Sequence, residues 1–268
     1  MKPGMASQAW RTIMAALLTA GPLALAAEEA PPFVPEEITF SCKPATSPVT
    51  VDGWLDEAAW SQAVPITHFY NVQNEGKSFL LPADKVTVRF LYDSQNLYLG
   101  AVIKDRDIIF DPTHLNQDKE TLFLTGDTFE VFFQPDKKQT VYYEFHVNPN
   151  NITWDARFLA KNYLTFFDYA AWDAGMKTAA VMKGTPNTVD EDTSWTVEMA
   201  IPLKAFTDRF DQPYPVKGTS WRLSICAYDY SYYNDDCDNQ SALMFISSSK
   251  LPKIDFHQRG NFNLLKFE

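Results

Sequence analysis

The chain has 268 residues, 46% of them hydrophobic and 15% aromatic, which is enough apolar material for a substantial core and too much for a disordered segment. Its formal net charge of −11 argues against nucleic acid or anionic lipid as a partner. Neutral ligands, cations and metals held by carboxylates stay open.

Residues 1–26 read as a secretory signal. Lys2 and Arg11 come before the apolar run Ile13 to Ala27, which Gly21-Pro22 interrupts, and Ala24-Leu25-Ala26 supplies the small-x-small pattern of signal peptidase. A membrane anchor fits less well, because the run falls short of about 20 apolar residues and holds a helix-breaking pair. Cleavage is expected to leave Ala27 or Glu28 first. It removes two basic residues and no acidic one, taking the formal charge from −11 to −13. The mature protein is then secreted or periplasmic, with no membrane attachment. Residues 27–37 form a Pro-rich acidic lead-in, and residues 38–268 read as a single domain, since no repeat or linker divides them.

Within that domain, Val49-Thr50-Val51 is predicted as a short strand, Asp52-Gly53 as a turn and Leu55 to Trp60 as a helical turn. Val86 to Tyr92 and Leu97 to Ile103 alternate as strands around Asp93-Ser94-Gln95-Asn96, a hairpin signature. Further strands are predicted at Thr128 to Phe133, Val141 to Asn148, Ile152 to Arg157, Met176 to Met182, Trp195 to Ile201, Trp221 to Tyr228, Leu243 to Ile246 and Phe262 to Phe267. Pro202 to Phe206 reads as a short helix with an early Pro. Many short strands and no long 3.6-residue periodicity predict an all-β, antiparallel two-sheet sandwich of jelly-roll or immunoglobulin-like type, with short helical turns.

Cys42, Cys226 and Cys237 allow at most one internal disulfide. Two arrangements stay open: a Cys226–Cys237 bridge over a short loop, or Cys42 and Cys226 as buried strand residues without a bridge.

Five segments in order resemble the family 9 carbohydrate-binding modules. They are Val51-Asp52-Gly53 with Leu55-Asp56-Glu57 and Trp60; Val86 to Asp105; Asp127-Thr128-Phe129-Glu130-Val131-Phe132; Trp195 to Pro202; and Phe256-His257 with Phe262 and Leu265. The resemblance implies a secreted, non-catalytic β-sandwich that binds the end of a polysaccharide or oligosaccharide and carries structural calcium. It further implies a sugar between two Trp rings, with a carboxylate, an Arg and an Asn on its hydroxyls. Ring stacking suits a pyranose, whose axial C–H bonds form an apolar patch while its hydroxyls take in-plane partners. Carried onto this chain, the carboxylate is Glu130, the Arg position falls near His146, one Trp near Phe256 and the other near Leu124 or Phe123.

Period-two alternation independently puts Glu130, Glu144 and His146 on strand faces among aromatics. Trp172, beside Asp173 and Gly175, is expected to be exposed and is a further ligand-binding candidate. Asp127 either braces the strand entry through backbone bonds or serves a ligand. Asp105, Asp107 and Asp111 are the expected calcium ligands, with Asp229, Asp235, Asp236 and Asp238 as a second acidic loop; solvated loops are the plain alternative. Two other functions stay open. One is a haem-binding electron-transfer sandwich using His146 with Met176, Met182 or Met199; the other is a glycan-active enzyme using a pair such as Glu130 and Glu144. The hydrolase, metalloprotease and nucleotide-binding fingerprints are absent from the sequence.

Overall fold

In the computed structural model, residues 33–74, 77–113, 122–159, 172–207, 215–232 and 243–268 are described. Residues 1–26, expected from sequence as a secretory signal, and Asp235, Asp236, Cys237 and Asp238 lie outside them. Among the described residues, thirteen strands follow in order: β1 (Thr39–Pro44), β2 (Tyr70–Asn74), β3 (Lys77–Leu80), β4 (Val86–Tyr92), β5 (Asn96–Lys104), β6 (Thr128–Gln134), β7 (Tyr142–Val147), β8 (Thr153–Phe158), β9 (Lys177–Lys183), β10 (Ser194–Pro202), β11 (Ser220–Tyr230), β12 (Leu243–Ser247) and β13 (Asn263–Phe267).

The alternation expected from sequence sets the layers. Phe129, Val131 and Phe133 of β6 and Tyr143, Phe145 and Val147 of β7 point into one core with Val86, Val88 and Phe90 of β4 and Trp195, Val197 and Met199 of β10. The first layer is built on β11. One edge of β11 pairs with β6 and through it β7 and β8, while the other edge is shared by β13 and β12, with β2 and β3 beyond. The second layer runs β4-β5-β10-β9. Strand β1 joins the two. Its Thr39–Cys42 segment pairs with β13, and Lys43 and Pro44 then pair with β4, both in parallel. The sandwich is therefore antiparallel except at β1. Across the core, Trp221 meets Phe133, Phe206 and Phe267 in edge-on or tilted contacts, each adding to the apolar area buried.

Around Gly53 the expectation and the structure differ. Val49 to Val51 is not a strand, because the local amides bond to side chains instead of a neighbouring ladder. Thr50 N donates to Glu57 Oε1 at 2.7 Å, and the amides of Asp52 and Gly53 donate to Glu198 Oε2 at 2.9 and 2.8 Å. Glu198 Oε1 also accepts from Trp60 Nε1 at 3.0 Å. One buried carboxylate of β10 thus ties down the whole Asp52 to Trp60 segment. Gly53 has φ of +90°, and a Cβ there would meet Val181 Cγ2 at 2.5 Å, so only glycine fits. The helical turn forms as a 3-10 turn over Ala58–Gln62, and Leu203–Phe206 forms another.

The hairpin turn follows the sequence closely, with Asp93 Oδ1 accepting from the amides of Gln95 and Asn96. Cys42 and Cys226 are free and buried. Burial pushes both thiols up, which keeps them unreactive.

Candidate functional site

Strand register assembles the site on the outer face of the β11 layer, away from the main core. Glu130 of β6 lies opposite His146 of β7 on one side and Cys226 of β11 on the other, and His146 lies opposite Trp154 of β8. Two residues back on β7, Glu144 takes the same face by the pleat. His146 Nε2 is 2.6 Å from Glu144 Oε1 and 3.3 Å from Glu130 Oε1. The imidazole therefore bridges two carboxylates. Trp154 and Phe123 hold its ring by edge-on contacts.

These groups are deeply placed, with Glu130 at 2%, Glu144 at 4% and His146 at 1% exposure. Burial pushes Glu130 up to about 8, with Glu144 adding to the rise and His146 opposing it. For His146, burial alone acts downward, but Glu130 and Glu144 together raise its basicity above the ordinary value. Burial thus disfavours ionisation of Glu130, while the neighbouring carboxyl groups favour the protonated imidazole of His146.

A cleft of about 380 Å³ opens over this cluster, lined by Glu130, Glu144, Phe123, Tyr228, Phe256 and His257, with Lys253, Ile254 and Asp255 at its edge. Phe123 stacks on Tyr228 with centroids 5.0 Å apart, and Tyr228 meets Phe256 edge-on at 5.3 Å. His257 Nε2 lies 3.9 Å from Glu144 Oε2, while its Nδ1 is 2.9 Å from Tyr142 Oη. The cleft has aromatic walls and an acidic floor.

Of the ligand-binding residues expected from sequence, Glu130 and Phe256 line this cleft. His146 does not line the cleft; its Nε2 contacts both carboxyl groups of the floor. Leu124 points away and is 62% exposed. In the 3-10 turn Leu122–Leu124, successive side chains diverge by about 120°, so Leu122 is buried and Phe123 is the one that meets the cleft. Trp172 corrects an expectation: it is half-buried against Tyr143 and Phe145, both inward-facing, and under the Arg157 guanidinium. It belongs to the opposite face of the sheet. Tyr228 and His257 were not anticipated as wall residues.

The acidic loops rearrange as well. Asp105 gathers with Asp127 and Asp229, their nearest oxygens lying within 4.8 Å of one another. Asp107 instead accepts from Ser231 Oγ at 3.0 Å and from the Tyr232 amide, and Asp111 accepts from Thr113. Asp127 does brace the strand entry, accepting from Ile109 N at 2.6 Å and Tyr230 N at 2.7 Å. The Lys85 ammonium pairs with Asp229 in this trio. Burial and the Asp229 charge push Asp105 up to about 7, with Lys85 opposing. An oxygen-only trio suits calcium chemically, and Lys85 competes with it for the same charge.

His146 and the methionines considered for haem are not brought together. Met199 is in the inter-sheet core, with Met176 and Met182 packed against that core, whereas His146 is on the outer face.

A family model described as carbohydrate family 9 binding domain-like matches residues 51–263. A protein of Arthroderma benhamiae named "Extracellular protein" is 29% identical over 148 residues, covering 54% of this chain and 63% of its own length. The chain therefore spans less than two thirds of that relative. A solved structure from Bacteroides uniformis, described as a candidate carbohydrate-binding protein, superposes with a TM-score of 0.60 at 16% identity, covering 87% of this chain and all of that one. A family 9 carbohydrate-binding module from Caldicellulosiruptor kristjanssonii, solved with cellotriose, gives a TM-score of 0.49 at 16% identity over 87% of this chain and 94% of its own. With its sandwich fold and a model match across most of its length, this chain belongs to the carbohydrate family 9 binding domain-like family.

Proposed function

We propose that this protein is a secreted, non-catalytic module that binds the end of a carbohydrate chain in the cleft over Glu130 and Glu144. The observation that carries this reading is the cleft's division of labour. Phe123, Tyr228 and Phe256 offer ring surface for the apolar underside of a pyranose, while buried carboxyl groups on the floor accept from or donate to hydroxyls. Family membership supports it, as does the Arthroderma benhamiae relative named for an extracellular location. A glycosidase is less well supported. Such enzymes place two carboxyl groups about 5 to 9.5 Å apart across a glycosidic bond. Here Glu130 and Glu144 are drawn together on one imidazole, with their nearest oxygens within 4.8 Å.

The test is a glycan array with the mature chain, followed by calorimetry on any ligand found. Phe123→Ala, which touches a half-buried wall residue, should weaken binding by about 1 to 2 kcal/mol without disturbing the fold. An array without a ligand, or binding that Phe123→Ala leaves intact, would remove this cleft as the sugar site.

A further inference from the structure

We infer that the floor of this cleft is a binding site for one divalent transition-metal ion of the zinc class, held by Glu130, Glu144 and His146 with His257 as the fourth donor. Two carboxylates and an imidazole converge there, one ligand atom from each lying within 4.8 Å of the others. Metal–ligand bonds of about 2.0 to 2.2 Å bring neighbouring donors to about 3 to 4 Å, so only a small closure is needed. The contacts of His146 Nε2 to Glu144 at 2.6 Å and Glu130 at 3.3 Å already lie near that range.

Glu144 supplies an independent observation. Its Oε2 is buried, lines the cleft and has no hydrogen-bond partner among the described residues. An acceptor left in that condition is costly unless a ligand meets it. His257 Nε2 lies 3.9 Å from it, a gap too long for a hydrogen bond and suited to an ion between them. Tyr142 Oη at 2.9 Å from His257 Nδ1 fixes that ring from behind, as partners of metal-bound histidines do. Mixed nitrogen and oxygen donors favour zinc and its neighbours over calcium and magnesium, which take oxygen. The open cleft supplies an entry path and leaves room for an exchangeable ligand. This site stands whether or not a sugar occupies the cleft.

The experiment strips the full mature chain with chelator, adds zinc chloride, and reads stoichiometry by calorimetry and by metal analysis after desalting. Cobalt substitution adds an optical readout. The expected result is one tightly held equivalent, visible cobalt absorption, and no saturation by millimolar calcium or magnesium. His146→Gln and Glu144→Gln should abolish binding. Because both change buried groups, His257→Gln, at a more accessible position, provides a variant whose fold is easier to keep; it should weaken zinc at least tenfold. Absence of a stoichiometric equivalent, or full affinity in a folded His257→Gln or His146→Gln protein, overturns the site. Sugar binding without zinc binding overturns it and leaves the carbohydrate reading in place; zinc binding without sugar binding supports it while removing that reading.

Discussion

Two groups of buried acids in this molecule sit at similar depth and are treated in opposite ways. Asp105, Asp127 and Asp229 meet where the ends of β5 and β11 approach the start of β6, and the chain's own Lys85 inserts an ammonium among them. Backbone amides satisfy Asp127 as well. Glu130 and Glu144 have only the titratable His146 between them, and their face opens into an aromatic cleft. A permanent cation and amide donors offset the charge of the first cluster, although Asp105 Oδ2 has no hydrogen-bond partner there. The second has no such cation and turns its free Glu144 Oε2 toward an aromatic cleft, and that access, more than burial or acidity, distinguishes a ligand site from a structural one.

The most severe way to break the contrast is Lys85→Met, which leaves the Asp trio without its cation. It should destabilise the fold by about 3 to 5 kcal/mol in chelator. Millimolar calcium should raise the melting temperature of this variant more than that of the wild type, since an ion binding only the folded state stabilises it by mass action. Equal calcium responses in the two proteins would show that Lys85 does not hold the cation's place.

Next in size is a pH effect. Asp105 has a folded pKa of about 7 against an ordinary value of 3.8. The unfolded chain therefore releases this proton as pH rises past 4, while the folded chain keeps it until about 7. The contribution of Asp105 to stability is fully present below pH 4 and is lost as pH rises through 7. Asp105→Asn does not titrate, so relative to wild type it should gain on the order of 2 to 4 kcal/mol between pH 4 and pH 8. Urea denaturation at the two pH values measures this, and a constant difference would refute it.

At the cleft the balance should reverse. His257→Gln, at a half-buried position on the cleft, is expected to change stability by less than about 1 kcal/mol while costing a found ligand about 0.5 to 1.5 kcal/mol, the net scale of a hydrogen bond. The smallest effect is expected at Leu124. Its replacement by Ala should leave stability and binding within about 0.5 kcal/mol of wild type, because the side chain faces solvent.

The sequence made the β content and most strand positions legible, because alternation in Phe129 to Phe133 and Tyr142 to Val147 is a local property that the pleat converts directly into faces. It also marked Glu130, Glu144 and His146 as outward candidates. What it left hidden were pairings over long separations. His257 reaches Tyr142 across 115 residues, Tyr230 N reaches Asp127 across 103, and Lys85 finds Asp229. Nothing in local pattern specifies such partners. Strands β1 to β3 were also missed, since β2 and β3 lie at an edge with polar side chains interleaved, which weakens the apolar rhythm. Phe123 and Leu124 are neighbours in sequence, and only the turn geometry decides which one meets the cleft.

Strand β1 has a consequence for the order in which the molecule can be made. Ile38 N donates to the side chain of Asn263, 225 positions later, and Thr39 to Cys42 pair with Leu264 to Phe267. During synthesis this early segment waits with open backbone groups until almost the entire chain has emerged. Neither layer can then be sealed at its shared corner, and such late long-range closure is entropically slow. A nascent chain of this design keeps the corner shared by its two layers open until β13 has been made.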